Sequence, residues 1–365
     1  MLLTHETTIV LNKNDANIVG HMCYAAYKLW NVCNYERNNY KNLGLEKYPD
    51  WYYQKSKHKD DLWFKSLPSQ TAQEICKLLD KSWKSFYRLK ESGGIENPGS
   101  PRYKKDKMPI TYMQNGIQHE TGSFKVRLSL PKKLKEYMVH TYDIRAAYLY
   151  LKNPVFSNMD IIKQIKIYPP ANDGTSRILV IYEVEDVLPE EDNGHYLSID
   201  LGLHNLMTCY DNAGKTFIIG REYLSLSYFY NKEIARVQSQ WGRIQAAREM
   251  EDLKTSKHLQ KLYRKKNDCI KDYIHKMTRY ITNYCVKNDI HTVVIGDIKG
   301  IRKERNLGRK TNQKLHSLPY ARIYMQLEYK LKMKGICLIR QEESYSSQCP
   351  PQSEKVSHIY AEKRN

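Results

Sequence analysis

The chain has 365 residues, enough for two or three domains and a sizeable core. Its 59 Lys and Arg outweigh 40 Asp and Glu, a formal charge of +19. That excludes an ordinary enzyme of small molecules and calls for a polyanionic partner. No apolar run approaches a membrane span and no signal-peptide core opens the chain, so a cytoplasmic protein without a membrane partner is expected.

Thirty tyrosines accompany the basic residues, and such rings can stack on unpaired bases, although any single one is better read as core or half-buried surface. The cysteines at 23, 33, 76, 209, 269, 285, 337 and 349 contain no C-x-x-C pair. This is reduced, intracellular usage and not a disulfide framework or a zinc ribbon.

In chain order, Thr7 to Leu11 predicts a short strand. A helix is expected from Asn14, capped by Asp15, with Ile18, Met22, Ala25, Ala26, Leu29 and Trp30 at three-to-four spacing. Pro49-Asp50-Trp51 breaks the pattern. Helices are then expected from Asp60 to Ser66 and from Ser69 to Ser92, the second opened by Pro68-Ser69 as a cap signal. One face of it carries Ala72, Ile75, Leu78, Leu79, Trp83 and Phe86. The other carries Gln70, Gln73, Lys77, Lys81, Lys84 and Arg88, suited to a phosphate backbone or simply to solvent. Gly93-Gly94 stops the helix, and the loop Arg102-Tyr103-Lys104-Lys105 adds a basic run with an aromatic in it.

Short strands are expected from Ile110 to Val187: Phe124 to Leu130, Ala147 to Leu151, Ile161 to Tyr168 and Arg177 to Glu185. With the strand at Thr7 they can close a small antiparallel barrel interrupted by the helical block. A turn-rich acidic linker, Pro189 to Gly194, leads into Tyr196-Leu-Ser-Ile-Asp-Leu-Gly-Leu-His-Asn-Leu-Met207. This stretch predicts a strand that delivers Asp200 where the run becomes fully buried. Such an acid needs a positive partner, for which a divalent cation serves, or backbone donors at a strand edge.

Strands at Leu206 to Tyr210 and Phe217 to Gly220 follow, then helices Tyr223 to Met250 and Ser256 to Lys287. Thr292 to Asp297 predicts another buried strand. A basic loop carries Arg302, Lys303, Arg305, Arg309 and Lys310, ahead of a helix at Tyr320 to Lys334 and a strand at Ile336 to Arg340. Strand-strand-strand, helix, strand, helix, strand is the order of an RNase H-like α/β domain. In that fold carboxylates at the strand ends hold two divalent ions for in-line phosphoryl transfer.

Four stretches, Ser198 to Leu206, Val293 to Gly300, Asn312 to Lys330 and Glu342-Glu-Ser-Tyr-Ser-Ser-Gln348, together resemble the TnpB family of transposon-encoded RNA-guided nucleases, related to type V CRISPR effectors. Leu67 to Gln73 and Pro98 to Lys105 match its N-terminal half more loosely. The resemblance implies an α+β multidomain protein. Residues 1–12 and 106–192 would form a wedge barrel, 13–105 a helical recognition domain, and 193–365 a RuvC-like nuclease domain with a helical insertion at about 222–289.

It also implies a Mg²⁺-dependent two-metal site, a guide RNA and a double-stranded DNA target. The protein itself would check only a short flanking motif, with Gln70 and Gln73 as base-edge readers. Three acids make the family's site. Asp200 matches the first. The second is usually a Glu where this chain has Gly296, and Glu343 is its expected replacement, with Glu342 behind it and Asp297 third. Glu342 and Glu343 point to opposite faces if the strand continues, so one of them is the ligand.

The third acid belongs beyond a zinc-ribbon segment that Cys349-Pro-Pro represents alone, so no zinc is expected. The sequence ends at Asn365 before that position, and a further tail is expected. The alternative is an RNA-guided DNA-binding protein, a repressor or targeting factor, that no longer cleaves. A guide-free RNase H-type nuclease is less economical, because it has no need of the inserted helices.

Overall fold

The computed structural model describes residues 1–93, 95–249, 255–298, 308, 312, 318–343 and 349. The chain divides into two compact units, Met1–Glu185 and Asp186–Asn365.

In the first unit, β1 (Leu2–Val10) leads into α1 (Lys13–Asn38). The cap is Asn12 and not Asp15. Asn12 Oδ1 accepts from the Asp15 N–H at 2.8 Å while its Nδ2 donates to the Asp15 carboxylate at 2.7 Å. Asp15 thus answers the cap from the first turn, a reciprocal arrangement. The residues read as a break open a helix instead: α2 (Trp51–Lys57) is capped by Asp50, whose Oδ1 accepts from the Tyr53 N–H at 2.8 Å.

The helix expected from Asp60 shortens to α3 (Leu62–Lys65). α4 (Ser69–Ser92) starts with no side-chain cap bond and ends at Gly93, whose left-handed φ of 63° suits a residue without a Cβ. It buries Ala72, Ile75, Cys76, Leu79 and Trp83, whereas Leu78, expected on that face, is 45% exposed. At 100° per residue Leu78 falls about 120° from the centre of the buried stripe.

Six strands follow: β2 (Ile110–Met113), β3 (Ile117–His119), β4 (Lys125–Ser129), β5 (Tyr148–Lys152), β6 (Ile161–Ile167) and β7 (Thr175–Glu183). They form two antiparallel sheets, β1-β7-β6-β2 and β3-β4-β5, in place of one closed ladder. A helix interrupts them where only strands were expected. This α5 (Lys132–Tyr142) follows Pro131 and buries Leu134 and Met138, one turn apart. Helices and strands of this unit share a single apolar core.

Within that unit lies a buried polar network. Arg37 donates to Asp80 and to Gln54, each at 2.9 Å, and Gln54 donates to Glu36 at 2.9 Å. Lys57 reaches the same Glu36 at 2.6 Å. A buried guanidinium is tolerable only with its donors satisfied in this way.

The second unit runs β8 (Tyr196–Asp200), β9 (Met207–Asp211), β10 (Thr216–Ile219), α6 (Glu222–Ala247), α7 (Lys257–Lys287), β11 (Thr292–Asp297), a helix Tyr320–Lys332 that we label α8, and β12 (Cys337–Glu342). This is the element order expected from the sequence. The sheet is ordered β10-β9-β8-β11-β12, with β9 antiparallel to both neighbours and β11 parallel to β8 and β12.

Ser256 caps α7, its Oγ accepting from the Leu259 N–H at 3.1 Å. Apolar residues of the central strands (Leu197, Ile199, Val293, Ile295) pack with Ile274, Met277 and Ile281 of α7 and Ile323, Leu327 and Leu331 of α8. At the far end of β9 the buried Asp211 accepts from the Tyr284 hydroxyl and from the Lys215 N–H. Those bonds hold its carboxyl below the usual range.

Candidate active site

The register of the central strands decides which side chains meet. Leu197 pairs with Val293 and Ile199 with Ile295, while on the other side Gly296 pairs with Gln341 and Asp297 with Glu342. Side chains alternate along a strand. The face of Leu197, Ile199, Val293 and Ile295 is therefore core, and Asp200, Gly296 and Gln341 share the opposite face. Asp200 is exposed at the end of β8, contrary to the buried position that its apolar run suggested. Alternation sends it out of the core, so no buried charge has to be satisfied there.

The same alternation gives Glu343 to the face of Gln341, and Glu342 and Asp297 to the other. The glycine makes this concrete. A Cβ built on Gly296 would lie 1.5 Å from Glu343 Oε1 and 2.1 Å from its Cδ. Glu343 therefore occupies the room that a side chain at position 296 would take. Burial first, and then the charge of Asp200, push the Glu343 carboxyl above its usual range. The two acids are thus electrostatic neighbours, brought together from strands that are not adjacent in the sheet.

Helix α8 fastens both strand ends. The Tyr320 hydroxyl donates to the Gly202 carbonyl, just beyond Asp200, at 3.4 Å. One turn later, the Tyr324 hydroxyl donates to the Gly296 carbonyl and accepts from the Ile298 N–H at 3.4 Å. Arg340 of β12 lies over the Tyr324 ring, 4.6 Å from its centroid. Sequence reasoning missed these tyrosines. Their i, i+4 spacing on a helix was visible, but the strand carbonyls they reach were not.

Residues 179–302 match the family model OrfB_IS605, described as a probable transposase. This segment of the chain is similar to that TnpB-like transposase family. Among solved structures, the chain is similar to a Cas12f1–sgRNA–target DNA complex. The two share 14% identity over 94% of this chain and 76% of that one, with a TM-score of 0.57, a likeness of fold. A CRISPR-Cas12f ternary complex also matches, at 15% identity over 95% of this chain and 74% of that one, with a TM-score of 0.35. No curated protein matches the sequence.

Of the candidate acids, Asp200 and Glu343 are the two that the fold brings to one face. No group of three His, Cys, Asp or Glu suited to a metal ion is found among the described residues. No helix there is long and apolar enough to cross a membrane.

The expected nucleic-acid contacts divide. Gln73 is half-buried, its Nε2 donating to Ser69 Oγ at 3.3 Å. Gln70 keeps a buried Oε1 with no hydrogen-bond partner, so that oxygen is turned from solvent. Lys77 pairs with Glu74 at 2.7 Å and Lys84 with Asp80 at 2.9 Å. On the loop, Arg102, Tyr103, Lys104 and Lys105 are all exposed. Their backbone is strapped to α1: Asn34 donates to the Pro101 carbonyl and Asn31 to the Lys104 carbonyl, each at 2.9 Å. Arg302, Lys303, Arg305, Arg309 and Lys310 lie outside the described residues, as does the chain beyond Cys349.

Proposed function

We propose that this protein is an RNA-guided DNA endonuclease whose site is built on Asp200 and Glu343. Of all observations, the one that carries this reading is the Glu343 carboxylate standing in the side-chain space of Gly296, on the face that Asp200 shares. A glutamate that reaches this point from β12 replaces one that would project from β11. The family match and the Cas12f-like fold support the same reading.

The residues present fit a divalent cation. Two carboxylates converge, and the Glu343 carboxyl is raised by burial and by Asp200, a repulsion that a cation between them relieves. Mg²⁺ held there would supply activation of water and charge neutralisation at the scissile phosphate. What the chain contributes is placement. Tyr320 holds the chain just beyond Asp200, and Tyr324 holds the end of β11 where the Glu343 carboxylate stands. Glu342 and Asp297, on the opposite face, are assigned no ligand role. The formal charge of +19 suits the guide RNA and duplex DNA that the reading requires, with Arg102 to Lys105 and the basic loop of Arg302 to Lys310 as phosphate contacts.

The test is Mg²⁺-dependent cleavage of guide-matched duplex DNA by the protein with its copurified RNA. Asp200→Ala and Glu343→Ala should each abolish cutting while target binding persists. Cleavage that survives Glu343→Ala would remove Glu343 from the site. If wild-type protein binds the matched target but never cuts it, the chain is an RNA-guided binding protein instead.

A further inference from the structure

A concave site lies within the first unit. It is a cavity of about 640 Å³ between α1, α3 and α5, in the range of small-ligand sites. Its walls are aromatic: His21 and Tyr24 from α1, Trp63 from α3, and Tyr137 and Tyr142 from α5. His21 packs against Tyr137 at 5.2 Å and Tyr142 at 5.4 Å between ring centroids, and Tyr24 against Trp63 at 5.7 Å. The His21 ring is fixed by a 3.2 Å contact between its Nε2 and the Tyr142 hydroxyl.

Two cations complete the lining and no acid does. Lys107 forms no ion pair among the described residues. Its Nζ lies 3.5 Å from where a Cβ on Gly20 would stand, so the bare backbone of α1 makes room for it. Lys133 stands near the first turn of α5, 3.8 Å from Glu136. Burial and the Lys107 charge lower the His21 pKa, which keeps that ring neutral at pH 7.

Flat neutral rings on several sides suit a planar aromatic group, and the Lys107 ammonium, with Lys133 beside it, suits an anion attached to it. We propose that this cavity holds one unstacked nucleotide, its base among the rings and its phosphate at Lys107 and Lys133. The site is independent of the acids on the sheet, so it stands or falls apart from the cleavage reading.

The test titrates the full-length protein, freed of nucleic acid, with adenosine monophosphate and with a short single-stranded oligonucleotide in RNA and DNA form. Lys107→Ala removes the cation. Gly20→Leu fills the cavity at a position where leucine favours the helix over glycine. Each should weaken binding roughly tenfold. Binding of the mononucleotide identifies a free ligand, and binding of the oligonucleotide alone identifies a base extruded from a strand. Either result supports the site if both variants weaken it. Should Gly20→Leu fail to fold, Trp63→Ala serves in its place. Equal affinity in folded variants, or no binding of any probe, would overturn the proposal.

Discussion

The carboxylate of Glu343 and the α-carbon of Gly296 share a single side-chain site, since a Cβ on the glycine would stand 1.5 Å from Glu343 Oε1. No two non-bonded heavy atoms coexist at that distance, so the residues are interdependent: glutamate at 343 requires glycine at 296. Gly296→Ala should therefore expel the carboxylate and slow single-turnover cleavage by about a hundredfold or more, the scale of losing one preorganised electrostatic group. The double swap Gly296→Glu with Glu343→Gly should recover part of that loss. If Gly296→Ala cuts at the wild-type rate, Glu343 does not act from this position.

Tyr324 is the fastening for the end of β11 beneath that carboxylate. Tyr324→Phe keeps the ring and its contact with Arg340 but loses the hydroxyl. The expected cost is about 1 kcal/mol of stability, with cleavage reduced several-fold and target affinity unchanged. A drop in affinity without a drop in rate would contradict a positioning role.

The Arg37–Asp80 pair is almost fully enclosed, with side chains 1% and 7% exposed. Removing one partner leaves a buried charge without its counterion. Asp80→Ala should cost about 3–5 kcal/mol in the first unit, measured by urea unfolding followed through tryptophan fluorescence. A loss below about 1 kcal/mol, the scale of an exposed pair, would mean that water reaches Arg37.

Acid stability follows from Glu36. Burial alone would raise its carboxyl, but bonds from His58, Lys57 and Gln54 override this and hold it at about 2, against an ordinary 4.5. The folded state then binds fewer protons than the unfolded one. This stabilisation is fully present above pH 4.5 and is lost as pH falls towards 2. His58 has the opposite sign. Burial would lower it, yet Glu36 and Asp61 raise it above 6.5, so its contribution is full below pH 6.5 and fades above its raised pKa. Stability of this unit should peak between pH 4.5 and 6.5. Thermal melts of Glu36→Gln should lose the acid limb, and an unchanged limb would assign it to other carboxylates.

Much of the architecture was legible because it rests on periodicity. The strands and helices from Tyr196 to Glu342 appear in the expected order, since runs such as Val293 to Ile295 and the stripe Ile274, Met277, Ile281 state their period locally. Short elements were not legible. Asp50 opens α2 where a break was expected, and α5 arises among strands, because seven or eleven residues hold too few periods to outweigh their neighbours. In the first unit β1, β4, β5, β6 and β7 were expected and β2 and β3 were not, and the division into two sheets depends on pairing across long stretches of chain.

The sequence by itself determined the charge that demands a polyanion, the strand that carries Asp200, and the glycine standing where a glutamate was expected. By resemblance it ranked Glu343 ahead of Glu342 and Asp297. The tertiary structure decided which of them shares a face with Asp200, because that depends on register. β11 lies between β8 and β12 with fixed partners, so alternation puts Asp200, Gly296 and Glu343 on one face and sends Glu342 and Asp297 to the other. A side chain's face is a property of how strands pair, and the pairing of β8 with β11 and of β11 with β12 is not written in any one segment alone.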